Sequence, residues 1–211
     1  MAALWAWVQY VLGKVLSPIR GHDSKLMTNH AAFKHLPSPN MQLKATEYGA
    51  SGSLMFPSHT CLAEDKMGGL PDFTWVAPEN TDVKEYILLC EDPDVPIPGL
   101  CLPHGLFYGI PPSVCTATNT DIMTTKKIEN HVTDAGWKYI PNLRGVPYIG
   151  AGAPLGHGVH RYFFTIVALD TALDFEGFDG KINQGKIREA IQGKVVGWGQ
   201  WIGNFERPWP R

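Results

Sequence analysis

The sequence has few cysteines, no long apolar run and no cluster of basic residues. Its four cysteines show neither CxxC spacing nor zinc-like pairing with histidines, which argues against a disulfide scaffold and favours reduced thiols in a cytoplasmic protein. The formal net charge is −2 and the lysines and arginines are scattered, so the surface pattern of a nucleic-acid-binding protein is missing. Repeats and low-complexity tracts are also lacking, and one folded domain is expected.

The first sixteen residues are apolar, but they lack the features of a leader peptide or a membrane span. No basic segment precedes them, Gln9 and Lys14 interrupt the apolar run, and no small-residue cleavage site follows. Helical spacing of apolar residues predicts an amphipathic helix that Pro18 ends. These apolar residues are Leu4, Val8, Val11, Leu12 and Val15. We expect the helix to pack on the domain or on a second copy of the chain, as a homodimer; membrane contact is less expected because the polar face carries almost no basic charge.

The 22 glycines and 17 prolines predict short strands and many turns, hence a mostly β (α+β) fold. Residues 1–40 are predicted to form the N-terminal helix and a polar connector, and residues 41–211 the domain. Helical spacing over 184–196 predicts a C-terminal helix, with Asn183 as its N-cap and Gly197 at its end. Short apolar and aromatic runs predict strands over 72–76, 86–91, 105–110 and 162–169.

A first group of ionisable residues follows a predicted strand. Asp92 and Asp94 flank Pro93, and the prolines of this DPDVP segment make the strand end rigid. His104 begins the next predicted strand, so a carboxylate could fix its tautomer and leave its second ring nitrogen for a ligand. The plain alternative is a turn-capping aspartate beside a surface histidine. Cys101, three residues earlier, either lines the same pocket or packs as a small buried hydrophobe, and the second is preferred.

A second group follows a glycine-rich segment over 150–156 that lacks the spacing of a nucleotide-binding loop. The backbone amides of Gly150 and Gly152 are predicted to turn inward and line an anion site. His160 and Arg161 begin the next strand and should point to opposite faces. We therefore predict His160 in the pocket and Arg161 in an ion pair with Asp92 or Asp94.

A metal site is the weaker alternative for these side chains. It would take two histidines and two carboxylates, from Asp92, Asp94, His104 and His160. Only His157 and His160 are close in sequence, and they need not share a face. Neither a metal ion nor an organic cofactor is expected.

The same segments resemble those of a known family, the phosphatidylethanolamine-binding proteins, in particular its bacterial and fungal branch. The likeness spans about residues 41–207. Matching segments occur in the family's order at 70–75 (SPxLxW), 92–96 (DPDxP), 103–111 (HW…YNIP), 148–162 (YxGPxPPxGxxHRY), 190–194 and 203–207. The resemblance implies a compact antiparallel Greek-key β fold with a C-terminal helix and a small pocket for phosphate-like or carboxylate anions.

Site residues are carried over from the resemblance one position at a time. It implies that Asp92, Asp94, His104, His160 and Tyr148 line the pocket and that Arg161 supports the fold. We predict proton transfer by His104 with Asp92 and Asp94. The predicted ligand-binding residues are His160, Tyr148, Gly150, Gly152, Pro96, Tyr108 and Arg161. The chain departs from the family pattern by having small residues at Gly105, Gly109, Ala151 and Ala153. These departures predict a roomier pocket for a bulkier acidic guest, and residues 113–147, which show little periodicity, are predicted to form a lid or pocket wall.

The fungal branch includes proteins associated with secondary-metabolite pathways. The resemblance therefore favours a protein that binds an acidic or carbonyl-bearing intermediate and promotes its cyclisation, cycloaddition or coupling without a cofactor. One alternative is a regulatory protein, similar to a kinase or protease inhibitor, whose pocket is an anion switch. A third is a lipid-surface protein that uses the N-terminal helix.

Overall fold

The structure, a computed structural model, describes residues 2–124, 131–176, 178 and 180–209. Within this part the chain forms two α-helices and nine β-strands. The helices are α1 (Ala2–Leu16) and α2 (Gln184–Ala190). The strands are β1 (Leu43–Ala45), β2 (Ser53–Leu54), β3 (Phe73–Trp75), β4 (Glu85–Asp92), β5 (Leu102–Ile110), β6 (Thr116–Ala117), β7 (Lys138–Tyr139), β8 (His160–Leu169) and β9 (Val195–Phe205).

Six strands form the main sheet, in the order β2-β9-β8-β4-β5-β7. Neighbouring strands are antiparallel, apart from the parallel pair β2 and β9. A second antiparallel sheet, β1-β3-β6, shares a hydrophobic core with the main sheet. The predicted mostly β architecture with an N-terminal helix and a C-terminal helix is confirmed.

Strand β4 is the centre of the molecule, and all eight of its residues are buried. On one side, Leu88 packs in the core shared with the small sheet. On the other side, Ile87 packs in a core that includes Ile187 of α2 and Phe33 of the connector. Both faces are covered, which explains why this strand is a continuous apolar run rather than an alternating one. The connector over 21–39 is therefore partly core, although its composition is polar.

The four predicted strands are present as β3, β4, β5 and β8, with ends shifted by up to three residues. The predicted N-cap of α2 is also present, since Asn183 Oδ1 accepts a hydrogen bond from Lys186 N at 3.0 Å. However, α2 ends at Ala190, and residues 195 and 196, predicted as helix, begin the long strand β9. Glycines hide its strand pattern. They are required because, for example, a Cβ atom on Gly199 would lie 2.7 Å from Met41 O.

Helix α1 forms as predicted, but its apolar side does not pack on the domain. Leu4, Val8 and Val15 are exposed, while Gly13 on the opposite side is buried. A Cβ atom at Gly13 would collide with the carbonyl oxygen of Leu155, so the absence of a side chain lets the helix backbone approach that segment. No helix in the described ranges is long and apolar enough to cross a membrane.

Candidate functional site

A cavity of about 650 Å³ opens at one edge of the main sheet. Three strands meet there: β4 ends at Asp92, β5 starts at Leu102, and β8 starts at His160. Because these strands are antiparallel neighbours, the end of one lies beside the starts of the others. The predicted convergence of the two motifs on one pocket is therefore present, and Asp92, His104, His160, Pro96, Gly150 and Gly152 all line it.

Asp92 and His160 form a fully buried pair in the cavity wall. His160 Nδ1 lies 2.8 Å from Asp92 Oδ2, with side-chain exposures of 1% and 3%. The other carboxylate oxygen, Asp92 Oδ1, accepts a hydrogen bond from Asp94 N at 2.7 Å. Asp92 therefore orients His160 and closes the DPD turn at the same time.

His157, which the sequence reasoning did not assign to the site, contacts the remaining nitrogen of His160. His157 Nδ1 lies 2.7 Å from His160 Nε2, and His157 Nε2 lies 3.1 Å from the Leu16 carbonyl oxygen at the end of α1. Arg20 also approaches His157, with Nη2 3.2 Å from Nδ1 and a shorter contact to the backbone oxygen. The histidine pair thus links the cavity wall to α1.

The hydrogen-bond partners determine where the protons in this chain lie. A carbonyl oxygen only accepts, so His157 Nε2 donates to Leu16 and its Nδ1 accepts from His160 Nε2. A further proton then lies between His160 Nδ1 and Asp92 Oδ2. Burial, aided by the nearby charges of His160 and Arg20, lowers the pKa of His157 and keeps it neutral. Both nitrogens of His160 are engaged, so neither is available to a ligand in this arrangement.

His104 differs from His160 because one of its nitrogens has no partner. Its Nδ1 lies 2.8 Å from the Ile149 carbonyl oxygen, which assigns the proton to Nδ1. Among the described residues, nothing hydrogen-bonds the buried Nε2. Burial lowers the pKa of His104, partly opposed by the nearby Asp92 carboxylate. The ring is therefore neutral with a lone pair at Nε2. The predicted partner was an aspartate, whereas the structure has a backbone carbonyl in that place.

Asp94 and Arg161 lie outside the cavity and form an ion pair with each other. Arg161 Nε donates to Asp94 Oδ2 and Nη2 to Asp94 Oδ1, both at 2.8 Å. Two further bonds join the Arg161 guanidinium to Asp23, at 2.9 Å each. Burial favours a raised pKa for Asp94, but hydrogen bonds from the Arg161 side chain and backbone outweigh it, so the pKa is lowered. Since the carboxylate is held by Arg161, the structure does not place Asp94 where it could act on a ligand.

The glycine segment does not form the predicted anion nest, because its amides already have acceptors. Gly150 N donates to Met67 O at 2.7 Å, and Gly152 N donates to the Tyr162 hydroxyl at 3.0 Å. Ala151 N between them donates to His59 O at 3.1 Å. This segment follows a neighbouring loop like a short strand, so its N–H groups point into the protein rather than into the cavity.

Two predicted ligand-binding tyrosines lie in the core rather than on the cavity surface. Tyr108 points to the opposite side of the sheet and packs edge-on against Phe175, with ring centroids 5.8 Å apart. Tyr148 is buried behind the wall against Phe164. Gly105 leaves room for Tyr148, since a Cβ atom there would lie 2.9 Å from Tyr148 Cδ2. The small residues therefore do not enlarge the cavity as predicted, and Ala151 and Ala153 likewise belong to the core.

Basic side chains on the rim were missed by the sequence reasoning. Lys66, Arg144 and Arg207 line the cavity, whereas Asp92 is its one lining carboxylate among the described residues. These cations are distant in the chain, so their meeting could not be seen as a charge cluster. The sole sequence signals were the position of Arg207 in the last family-like segment and of Arg144 within the predicted pocket wall. Residues 142–144 do form part of that wall, while residues 125–130 of the segment lie outside the described residues.

Cysteine and metal chemistry find little support in the geometry. Cys61 lines the cavity, but burial raises the pKa of its thiol, which disfavours the reactive thiolate. Cys101 packs instead against Leu26 and Phe163 in a small apolar cluster. In the part of the chain that the structure describes, no group of three or more histidines, cysteines, aspartates or glutamates is arranged to hold a metal ion.

Comparison with known proteins agrees with this arrangement of strands and motifs. The family model described as "Phosphatidylethanolamine-binding protein" matches residues 38–206, which include every residue that lines the main cavity except Arg207. The chain belongs to the phosphatidylethanolamine-binding protein family. Proteins of this family bind small ligands, so a ligand cavity at the DPD motif is consistent with membership.

Two curated relatives carry the same name. A protein of Fungal sp. (strain ATCC 74256) called "Phomoidride biosynthesis cluster protein B" is 37% identical over 212 residues, covering 100% of both chains. A protein of that name from Talaromyces stipitatus is 32% identical over 204 residues, covering 96% of this chain and 82% of the relative. The chain is thus related along its whole length, including α1, to proteins of a fungal secondary-metabolite gene cluster.

Solved structures support the fold assignment. A putative phosphatidylethanolamine-binding protein homologue from Chlamydia trachomatis superposes with a TM-score of 0.63 at 23% identity, covering 81% of this chain and 100% of the other. YbcL from E. coli gives a TM-score of 0.61 at 20% identity, with coverages of 80% and 99%. At these identities the likeness concerns the fold alone.

Proposed function

We propose that this protein binds an organic acid or carbonyl compound in the cavity and promotes its cyclisation or coupling in fungal secondary metabolism. The relationship to the two phomoidride cluster proteins supports the pathway class. The observation that carries the chemistry is the buried, unpartnered Nε2 of neutral His104. A buried nitrogen without a hydrogen bond costs about 1–3 kcal/mol, and a guest with an acidic hydrogen would relieve that cost.

The charge around the cavity supports an anionic guest. Lys66, Arg144 and Arg207 supply three positive charges at the wall. The single lining carboxylate, Asp92, is already paired with His160 at 2.8 Å. In this proposal the cations hold the negative oxygens of the guest, a role that the sequence had assigned to His160 and to the amides of Gly150 and Gly152.

The enzymatic form of the proposal begins with a proton transfer. His104 Nε2 takes a proton from the carbon beside a carbonyl group of the guest, and the electron pair of that C–H bond forms an enolate. Lys66 and Arg144 stabilise the enolate oxygen. The enolate carbon then bonds to an electrophilic carbonyl carbon, whose C=O electron pair moves onto oxygen, and that oxygen takes the proton back from His104. A cycloaddition would need no proton transfer, only two partners held in reacting geometry.

The test uses defined acids with a side-chain variant of the cavity. Succinate and 2-oxoglutarate are titrated into the protein, and deuterium uptake at the methylene carbon beside the keto group of 2-oxoglutarate is followed by NMR in heavy water. We expect His104→Ala to lower affinity or exchange rate at least tenfold, and Lys66→Met to weaken succinate binding. Lys34→Met, which removes an exposed lysine outside the cavity, is the matched control and should change neither.

The two readouts separate binding from catalysis. Unchanged affinity and exchange in a folded His104→Ala protein would remove His104 from the function. Binding without faster exchange would leave a ligand-binding protein and exclude the enolate step. The same proposal includes a cytoplasmic location for the protein, since the four cysteines are free thiols in the structure.

A second role, in protein interaction, is supported by the exposed side of α1. Leu4, Val8, Val11 and Val15 are exposed at 4-3-4 spacing, which is the spacing of a two-helix seam. Trp5 and Trp7 of the same helix are exposed as well. A homodimer through α1 is therefore proposed, and a regulatory role would act through the same surface.

Light scattering tests the homodimer directly. A dimer is expected at micromolar concentration, and Val8→Asp should return it to the monomer. Lys14→Ala, on the same helix beside this surface, is the control and should leave the dimer intact. A monomeric wild-type chain at all concentrations would contradict the homodimer, and a stoichiometric partner from another protein would favour the regulatory role.

A further inference from the structure

A second cavity lies between helix α1 and the segment before His160. Its volume is about 290 Å³, and its lining is mainly apolar. The walls are formed by Leu12 and Leu16 of α1, by Pro96, Pro154 and Leu155 of the domain, and by Arg207. We call this cavity the α1 groove.

The α1 groove continues the main cavity. Pro96, Pro154 and Arg207 line both spaces, so the two cavities meet at these residues. The proline rings restrict the backbone at two of the three positions, which makes the junction rigid. The guanidinium of Arg207 at the third position places a positive charge where the two cavities adjoin.

Backbone contacts between α1 and the domain leave the groove open. Gly13 and Gly156 form this contact, because a Cβ atom at Gly13 would collide with the Leu155 carbonyl oxygen and one at Gly156 with the Tyr10 carbonyl oxygen. Helix and loop therefore approach at their glycines rather than through interdigitated side chains. The side chain of Leu12 is left lining the groove, and it is 56% exposed.

We infer that the α1 groove binds the apolar arm of the same guest whose acidic group lies in the main cavity. The guest is then an amphiphilic acid, with its charged end near Lys66 and Arg144, Arg207 at the junction and a hydrocarbon arm beneath α1. This inference rests on the proposed function of the main cavity. Since a methylene group needs about as much room as a water molecule, ~30 Å³, the groove accommodates an arm of up to roughly eight to ten carbons.

The test compares straight-chain carboxylates from acetate to decanoate, with binding measured by NMR titration. Each added methylene buried in the groove is expected to tighten binding by about two- to fourfold, the upper value corresponding to ~0.8 kcal/mol per methylene. The gain should stop once the groove is full. Octylamine, which has the arm but not the acid, should bind at least tenfold more weakly than octanoate.

Two variants of the same helix locate the effect. Leu12→Gln places a polar group in the groove and should weaken octanoate binding at least fivefold while leaving acetate binding unchanged. Ala3→Gln introduces the same polar side chain at an exposed position of α1 that lies outside the groove and outside the proposed dimer surface, and it should alter neither affinity. Equal weakening by both variants would overturn the inference.

The outcomes distinguish the groove from the main cavity. If acetate and octanoate bind equally tightly and both depend on Lys66, the proposed function stands and the α1 groove is excluded as a ligand site. If affinity rises with chain length through Leu12 but Lys66→Met changes nothing, the groove binds hydrocarbon and the proposed function fails. Tighter binding of octanoate that depends on Leu12 and on Lys66 supports both.

Discussion

The two aspartates of the DPD motif show how the inner and outer sides of one strand edge differ. Asp92 points inward to His160, and both side chains of that pair are at most 3% exposed. Asp94 points outward to Arg161, whose side chain is 36% exposed and also contacts Asp23. We call these the inner pair, Asp92–His160, and the outer network, Asp94–Arg161–Asp23.

The outer network and the inner pair differ in charge and in contact with water. The outer network relies on a guanidinium whose pKa is raised further by its hydrogen bonds to Asp94, and water reaches part of it, so its charge is permanent and partly solvated. The inner pair is almost fully buried and is held by the 2.8 Å contact between His160 Nδ1 and Asp92 Oδ2. A sequence motif with two identical carboxylates thus serves one structural and one site-forming purpose.

The largest effect is expected from breaking the inner pair. Asp92→Ala leaves His160 buried without its carboxylate and removes the acceptor that closes the DPD turn. Loss of one partner of a buried pair costs about 3–5 kcal/mol, so the free energy of unfolding in urea should fall by that amount. A loss below ~1 kcal/mol would show that the inner pair has no special energetic role.

A smaller effect is expected when the inner pair keeps its carboxylate but loses its link to α1. His157→Ala leaves His160 Nε2 without an acceptor, and an unsatisfied buried donor costs about 1–3 kcal/mol. The free energy of unfolding measures this cost. In an Asp92→Ala background the same substitution should cost less, because coupled residues are not additive. Additive losses would contradict a continuous Asp92–His160–His157 chain.

Acid should lower the free energy of unfolding through the two buried histidines at the cavity, His104 and His157. Burial lowers the pKa of His104 and of His157 from 6.5. As the pH falls through 6.5 the unfolded chain takes up these protons before the folded chain does, so the free energy of unfolding decreases. Glu91 acts oppositely, because burial raises its pKa to about 7 and the folded chain binds its proton first as the pH falls.

The contribution of His104 to this pH dependence is obtained by comparing the wild type with a variant that lacks the histidine. Urea unfolding at pH 7.5 and 5.5 is compared for the wild type and for His104→Gln, which keeps Glu91 unchanged. The wild type should lose more stability than the variant on acidification. Lys34→Gln, at an exposed position of the connector, removes no histidine, serves as control and should follow the wild type. Identical pH profiles for the wild type and His104→Gln would contradict a neutral buried His104.

The smallest effect is expected at the surface end of the outer network. Asp23 is 42% exposed, and Arg161 keeps its three bonds to Asp94 when Asp23 is removed. Asp23→Ala should therefore lower the free energy of unfolding by no more than ~1 kcal/mol. Binding of organic acids in the cavity should not change. A loss of unfolding free energy comparable to that of Asp92→Ala would contradict the distinction between the inner pair and the outer network.

Part of this site could be predicted because it depends on local periodicity. Alternation along β8 places His160 and Arg161 on opposite faces, and the order of strands places His104 beside Asp92. The choice of partners could not be predicted in the same way. Asp92 and Asp94 are equivalent as sequence and equally buried, and their assignment depends on whether His160 or Arg161 lies beside the carboxylate.

Contacts between residues that are far apart in the chain explain what the sequence did not reveal. His157 meets His160 locally, but its role depends on the Leu16 carbonyl oxygen, 141 residues away in the chain. Lys66, Arg144 and Arg207 meet at the cavity from separate loops. The strand β9 was partly mistaken for helix because its glycines, which make room for neighbours such as Met41, interrupt the alternation of side chains.

The sequence by itself determined the family, the strand-rich architecture, the existence of α1 and the group of ionisable residues at one sheet edge, because these follow from motif order and from local side-chain periodicity. Tertiary structure alone decided which histidine keeps a free nitrogen, which cations face the guest and which side of α1 contacts the domain. Those properties depend on the burial and on the hydrogen-bond partners of single atoms, which come from distant parts of the chain and are not encoded in local spacing.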